Sequence, residues 1–211
     1  MLAADALGLL DHFQWTKDIH LVGISMGGMI SLELIDADPD RFCSLTLTST
    51  TAQRNIPTMK ALTTLSKVTL YYSNPADQIN AIVNLIHPPA WLDKPHPTFE
   101  TNRAMATDAF IRRTKKSRLQ PLNGNLGQTA ACLGHYFSDD RLLKIKTRGT
   151  PVMIVTGTVD HLVRPQSSYH MQSVLDARLE VFEGSGHAIP EEQAEKYNVL
   201  LDEHFTAACK L

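Results

Sequence analysis

The sequence has few of the features that mark a secreted, membrane or nucleic-acid-binding protein. Its three cysteines are far apart, and none forms a C-x-x-C pair: Cys43, Cys132 and Cys209. An odd number of isolated cysteines favours reduced thiols, so we expect a cytoplasmic protein. The net charge of −2 gives no reason to expect nucleic acid or an anionic membrane as a partner. No apolar stretch is long enough to cross a membrane, and no ligand spacing indicates a metal site.

One basic cluster, at residues 112–118, stands out against this even distribution of charge. It could form a binding patch, or it could end a helix, where cations complement the helix dipole. We favour the helix end. The remaining composition, with 43% hydrophobic and 20% charged residues, is that of an ordinary globular protein. A length of 211 residues predicts one domain, or a core with an insertion.

The most informative segment is residues 23–27, whose sequence Gly-Ile-Ser-Met-Gly matches the pattern G-x-S-x-G. The apolar run before it, at residues 19–22, predicts a buried strand, and the apolar spacing after it predicts a helix. This context is that of a nucleophile elbow, a tight strand-to-helix turn that lifts a serine hydroxyl clear of the sheet. The segment therefore predicts that Ser25 is a nucleophile.

The glycines of this segment are expected to make the tight turn possible. We expect side chains at Gly23 and Gly27 to collide with the neighbouring strand and helix. We expect Gly28, the next residue, to let the following helix lie close to the sheet.

A serine hydroxyl is a weak nucleophile at neutral pH, so it needs a base and a group that orients the base. Two later strand-like runs, at residues 151–157 and 178–182, are each followed by a polar loop. The first loop contains Asp160, and the second contains His187 after a Gly-Ser-Gly turn. Open α/β sheets keep their ligand sites at the carboxyl ends of strands. We therefore predict Asp160 as the acid and His187 as the base.

Other residues could fill these two roles, but their positions favour them less. The histidines other than His187 do not follow a strand and a Gly-Ser-Gly turn: His12, His20, His87, His96, His135, His161, His170 and His204. We expect His161 to be a loop neighbour of the acid. Asp139 and Asp140 follow a predicted helix rather than a strand. The strand predicted at 44–49 is followed by Thr50, Thr51 and Ala52, which include no acid.

With these motifs the chain resembles the α/β-hydrolase fold family, in its capped, serine-esterase-like branch. The supporting sequences are Gly-Ile-Ser-Met-Gly-Gly at 23–28, Gly-Thr-Val-Asp-His-Leu-Val at 157–163 and Gly-Ser-Gly-His at 184–187. The resemblance implies an α/β fold with a parallel sheet flanked by helices. It also implies a helical cap at 51–139 between two parts of the core, 1–50 and 140–211. A few apolar side chains of the cap should line an acyl pocket.

The resemblance also implies that the chain covers only part of the fold, with the N-terminal strands missing. Family members place several strands before the elbow, and a loop among them donates one backbone N–H to the oxyanion hole. The other donor follows the nucleophile and is here Met26. We expect the strand at 19–22 to become a sheet edge that permits self-association, unless another chain supplies the missing strands. We also expect the chain alone to be weakly active or insoluble.

These observations together predict a cofactor-independent serine hydrolase that uses Ser25, Asp160 and His187. The expected substrate is a small to medium neutral ester or a related acyl compound, cleaved through an acyl-enzyme. The alternative is that the chain is a non-catalytic fragment, or a ligand-binding or interaction protein of the same fold.

Overall fold

The computed structural model describes residues 2–117 and 122–209. Strands alternate with helices in the first and last thirds, and helices alone occupy the described residues between the second and third strands. The strands are β1 (Ile19–Ile24), β2 (Phe42–Thr48), β3 (Val152–Gly157) and β4 (Arg178–Phe182). The helices are α1 (Leu2–His12), α2 (Met26–Ala37), α3 (Met59–Leu70), α4 (Pro75–Ile86), α5 (Pro89–Leu92), α6 (Asn102–Lys116), α7 (Leu122–Gly134), α8 (Asp139–Thr147), α9 (Pro165–Leu175), α10 (Ile189–Glu192) and α11 (Ala194–Ala208).

The four strands form one parallel sheet in the order β1-β2-β3-β4. Each of the four strands predicted from the sequence is present, with ends that differ from the prediction by at most two residues. All four carboxyl ends lie on the same edge because every pairing is parallel. The loops that follow β1, β3 and β4 contain Ser25, Asp160 and His187, so the fold brings the three predicted residues to one edge.

The sheet is covered by helices on both faces, and the alternation along β3 shows how. Val152 and Ile154 pack into a core with side chains of α1, α2, α8 and α9. Met153 and Val155 point the opposite way and pack with Tyr197 of α11. Side chains of a strand alternate between the two faces, so an apolar run of this kind fills two cores at once. This layering is the α/β architecture expected from the sequence.

The connection between β2 and β3 has its own small core and well-defined helix starts. Val83, Leu92 and Ala106, from α4, α5 and α6, are buried against one another. Asn74 caps α4 by accepting a hydrogen bond from the Ala76 N–H, as the Asn-Pro sequence predicts. The basic cluster lies at the end of α6, which stops at Lys116. Its last member, Arg118, lies outside the described residues.

Strand β1 lies at one edge of the sheet formed by the described residues. Its apolar side chains Val22 and Ile24 are 37% and 41% exposed. In the parts of the chain that the structure describes, no helix is both long and apolar enough to cross a membrane.

Candidate active site

Ser25 lies between the last residue of β1 and the first residue of α2, in a strained backbone conformation. Its φ is 55° and its ψ is −121°, which costs a residue with a side chain on the order of 1–3 kcal/mol. Two contacts from β2 and the loop after it hold this conformation. The Ser25 N–H donates to the Thr48 carbonyl at 2.9 Å, and the Thr50 hydroxyl donates to the Ser25 carbonyl at 2.7 Å. The turn predicted at this serine is therefore present.

The glycines around Ser25 have different roles, and one expectation about them is wrong. A Cβ at Gly23 would lie 2.6 Å from Gly28 Cα, and one at Gly28 would lie 2.5 Å from the Thr50 side chain. These two positions therefore need glycine, as predicted. A Cβ at Gly27 would meet nothing within 4 Å among the described residues. Gly27 lies in the first turn of α2, and a Cβ there would have free space around it, so the predicted collision does not occur.

Asp160 and His187 are joined by a hydrogen bond between the two loops that carry them. His187 Nδ1 lies 2.8 Å from Asp160 Oδ2. The other carboxylate oxygen, Oδ1, accepts hydrogen bonds from the Leu162 and Val163 N–H groups at 2.8 and 3.0 Å. Asp160 is buried, and these three contacts compensate its charge. The arrangement fixes the imidazole with Nδ1 towards the acid, so Nε2 is left for a reaction.

The two loops are also joined through their backbones. The Val159 N–H donates to the Ser185 carbonyl at 3.0 Å. The Gly184 N–H donates to the Thr158 hydroxyl at 2.9 Å. A Cβ at Gly157 would lie 2.4 Å from the carbonyl oxygen of Ser185, so the loops approach closely only because residue 157 is glycine. The geometry of the Asp160–His187 pair is thus set by the backbone as well as by the side chains.

A cavity of about 320 Å³ opens beside Ser25. It is lined by residues of α2, α3, α7 and the loops after β2 and β3: Ser25, Met26, Met29, Asn55, Pro57, Leu65, Gln128, Thr129, Cys132, Leu133, Leu162 and Val163. Most of these side chains are apolar, as a pocket for an acyl chain would require. The N–H groups of Leu162 and Val163 also donate to Asp160, so the loop that carries Asp160 forms part of the cavity wall. In the described residues the Ser25 hydroxyl makes no hydrogen bond with His187.

The polar lining of this cavity includes Asn55 and Cys132, which were not predicted from the sequence as site residues. Asn55 donates from Nδ2 to the Leu162 carbonyl at 3.1 Å, while its buried Oδ1 has no partner among the described residues. Cys132 is half-buried, and burial raises the pKa of its thiol. The position of Asn55 after the carboxyl end of β2 was a usable signal. Cys132 gave none, because its approach to Ser25 depends on how α7 packs.

The alternatives to Asp160 and His187 contact other residues. His161 contacts Thr58, with its Nδ1 at 3.5 Å from the hydroxyl, and burial together with the charge of Lys60 lowers its pKa. Asp139 lies 2.8 Å from His170 Nε2 on the surface. His204 Nε2 lies 3.3 Å from the Leu45 carbonyl, and burial lowers its pKa. Among residues 2–117 and 122–209, no group of three or more His, Cys, Asp or Glu side chains is arranged to hold a metal ion.

Comparison with known proteins agrees with this fold. The chain is 26% identical over 188 residues to the "Putative carbamate hydrolase RutD" of Pseudomonas syringae, a match that covers 89% of this chain and 67% of the relative. A solved serine hydrolase of Cycloclasticus zankles superposes with a TM-score of 0.75 and 22% identity over 97% of this chain and 69% of its own. An esterase of Thermogutta terrifontis gives a TM-score of 0.69 and 20% identity over 98% and 71%.

The family assignment comes from the sequence profile of the family described as "alpha/beta hydrolase fold". This profile matches residues 1–194, which include the elbow and both loops of the Asp160–His187 pair. The chain belongs to the α/β-hydrolase fold family.

Proposed function

We propose that this protein is a serine hydrolase in which Ser25 is the nucleophile, His187 is the base and Asp160 is the carboxylate that orients the base. Ser25 attacks an acyl carbonyl while His187 Nε2 takes its proton, and Asp160 holds the imidazole and stabilises its charged form. The leaving group departs with the proton from His187, and an acyl-enzyme remains on Ser25. Water, activated by the same histidine, then attacks the acyl-enzyme and releases the carboxylic acid product from Ser25. No cofactor takes part in this sequence.

The observation that carries the proposal is the 2.8 Å contact of His187 Nδ1 with the buried Asp160 carboxylate. This contact orients the imidazole at the sheet edge where Ser25 also lies. The backbone of Ser25 has a positive φ at this edge. A surface histidine with a carboxylate neighbour is common, but a histidine held by a buried carboxylate at the same sheet edge as a strained serine is the pattern that nucleophilic catalysis requires.

Met26 is the proposed donor of a backbone N–H to the oxyanion. It is the first residue of α2, and the first N–H groups of a helix have no acceptor within the helix. The positive end of the helix dipole adds to the attraction for a developing negative charge.

The proposed substrate is a small to medium neutral ester, because the cavity beside Ser25 is small and mainly apolar. A carbamate is the second candidate, and two observations favour it. Asn55 lines the cavity and its Oδ1 has no partner among the described residues, so this oxygen can accept a hydrogen bond from the N–H group of a carbamate, which an ester lacks. The relative from Pseudomonas syringae is named a carbamate hydrolase. Matched p-nitrophenyl esters and N-alkyl carbamates of several chain lengths separate the two candidates.

Labelling with a fluorophosphonate probe tests the proposal. We expect wild type to be labelled, Ser25→Ala to be unlabelled, and His187→Gln to be labelled at least about 100-fold more slowly because general-base catalysis is lost. Ser173→Ala, on the exposed side of α9, is the matched control and should label like wild type. A folded wild-type protein that resists the probe would favour the ligand-binding alternative. Labelling of folded Ser25→Ala would mean that the nucleophile is another residue.

A further inference from the structure

The loop that carries His187 is bound to the end of α4, a helix from the connection between β2 and β3. The Ile86 carbonyl accepts hydrogen bonds from the His187 and Ala188 N–H groups at 2.8 and 3.3 Å. A Cβ at Gly186 would lie 2.6 Å from the same carbonyl oxygen. The backbone of the histidine therefore depends on where α4 ends.

A buried carboxylate holds the residue before the histidine. Glu192 accepts from the Gly186 N–H with both side-chain oxygens, at 3.1 and 3.0 Å. Its side chain is only 1% exposed, and a buried carboxylate is costly unless it is paired and hydrogen-bonded. A nearby cation stabilises such a carboxylate, and His87, directly after α4, becomes a cation when its imidazole is protonated.

His87 lies between two carboxylates in the described structure. Its Nδ1 is 3.5 Å from Glu192 Oε1, and its Nε2 is 3.4 Å from Glu191 Oε2. The ring stacks on Trp91 with centroids 4.8 Å apart, and the Trp91 indole N–H donates to the Glu192 carbonyl at 3.1 Å. Arg113 from α6 also binds Glu191. These contacts join three helices to the loop of His187.

The charges in this cluster favour a protonated His87. Burial alone would lower its pKa, but the nearby carboxylates of Glu191 and Glu192 outweigh burial and raise it. The contact with His87, assisted by Arg113, lowers the pKa of Glu191 to about 2. The charged groups around His87 are Glu191 and Glu192 from α10 and Arg113 from α6. They are two anions and one cation, so a proton on the imidazole of His87 balances the charge of the cluster.

We propose that Glu192 and His87 are positioning residues for His187, an inference that rests on the proposed role of His187 as the base. Glu192 fixes the Gly186 N–H, and His87 neutralises Glu192 and joins the loop to α4. Neither residue touches the substrate cavity described above. Their effect should therefore appear in kcat and in the rigidity of the loop, with KM little changed.

The test compares Glu192→Ala, Glu192→Gln and the control Glu195→Gln, which alters an exposed glutamate in the first turn of α11. Misplacement of the base predicts that Glu192→Ala loses on the order of 10–100-fold in kcat. Glu192→Gln keeps an acceptor for the Gly186 N–H, so it should lose less than about 10-fold. Glu195→Gln should match wild type. Hydrogen exchange at the His187 amide should be fastest in Glu192→Ala, slower in Glu192→Gln and unchanged in Glu195→Gln.

The pH profile gives a readout that a general loss of stability would not move. In wild type, kcat should decline at alkaline pH as His87 loses its proton. Glu191→Gln removes one of the two anions that hold this proton, so the decline should begin at lower pH. An unshifted profile, or a kcat loss in Glu192→Ala without faster exchange at His187, overturns the positioning role. If wild type is inactive and unlabelled while exchange still follows the expected order, the proposed function fails and the structural coupling stands.

Discussion

Replacement of Asp160 by asparagine is the most informative single change at the proposed site. The Oδ1 atom accepts two backbone hydrogen bonds, from Leu162 and Val163, and asparagine can keep both. The Oδ2 atom, 2.8 Å from His187 Nδ1, is replaced by an NH₂ group that donates. The imidazole must then accept at Nδ1 and carry its proton on Nε2, which is the wrong tautomer for a base.

The expected magnitude follows from these contacts. A wrong tautomer in a Ser-His-Asp arrangement costs about 10⁴-fold in kcat. The cost to folding should be much smaller, because the charge-assisted bond to the histidine is exchanged for a neutral one, at about 1 kcal/mol. Asp160→Ala is the matched comparison. It leaves two buried N–H groups unpaired as well, which adds about 1–3 kcal/mol for each group.

Turnover of a p-nitrophenyl ester and unfolding in urea measure the two effects separately. We expect Asp160→Asn to unfold with a single transition, near that of wild type, and to be almost inactive. Asp160→Ala should be clearly less stable than Asp160→Asn. A folded Asp160→Asn protein that keeps more than about a tenth of the wild-type kcat would refute the role of Asp160 in holding the histidine.

Three further predictions follow from the same structure. Gly157→Ala should destabilise the fold by about 1–3 kcal/mol in urea, because its Cβ would meet the Ser185 carbonyl, while Gly27→Ala should cost nothing. The stabilising contribution of Glu191, whose pKa is lowered from 4.5 to about 2, should be complete above pH 4.5 and lost as the pH falls towards 2. Thermal unfolding of wild type and Glu191→Gln should therefore differ at pH 6 and converge near pH 2. If the substrate is a carbamate, Asn55→Ala should lower kcat/KM for carbamates about 10-fold more than for matched esters, in parallel assays.

The sheet, and the position of the three candidate residues at one of its edges, could be predicted from the sequence because the signals are local. Each strand is an apolar run of a few residues, and Ser25, Asp160 and His187 each lie within five residues of the end of such a run. Parallel pairing then brings them to one edge whatever the details of packing. The Asn74-Pro75 start of α4 is local in the same sense, since the capping side chain and the capped N–H lie two residues apart.

Features that depend on long-range packing could not be read in this way. The contact between His87 and Glu192 joins residues 105 positions apart in the sequence. Its geometry depends on how α4 packs against the loop after β4. The error at Gly27 has a related cause. The pattern G-x-S-x-G contains two glycines, but only the path of α2 decides which of them faces the sheet.

Trapping of the acyl-enzyme is the most direct test of Ser25 as the nucleophile. The wild-type protein is mixed with a p-nitrophenyl ester, quenched in acid within the first turnover, and digested for peptide mass spectrometry. We expect to find the acyl group on Ser25, and we expect Asp160→Asn to accumulate it far more slowly. Steady turnover with no acyl group on Ser25, or with the acyl group on another residue, would contradict the role of Ser25 as the nucleophile.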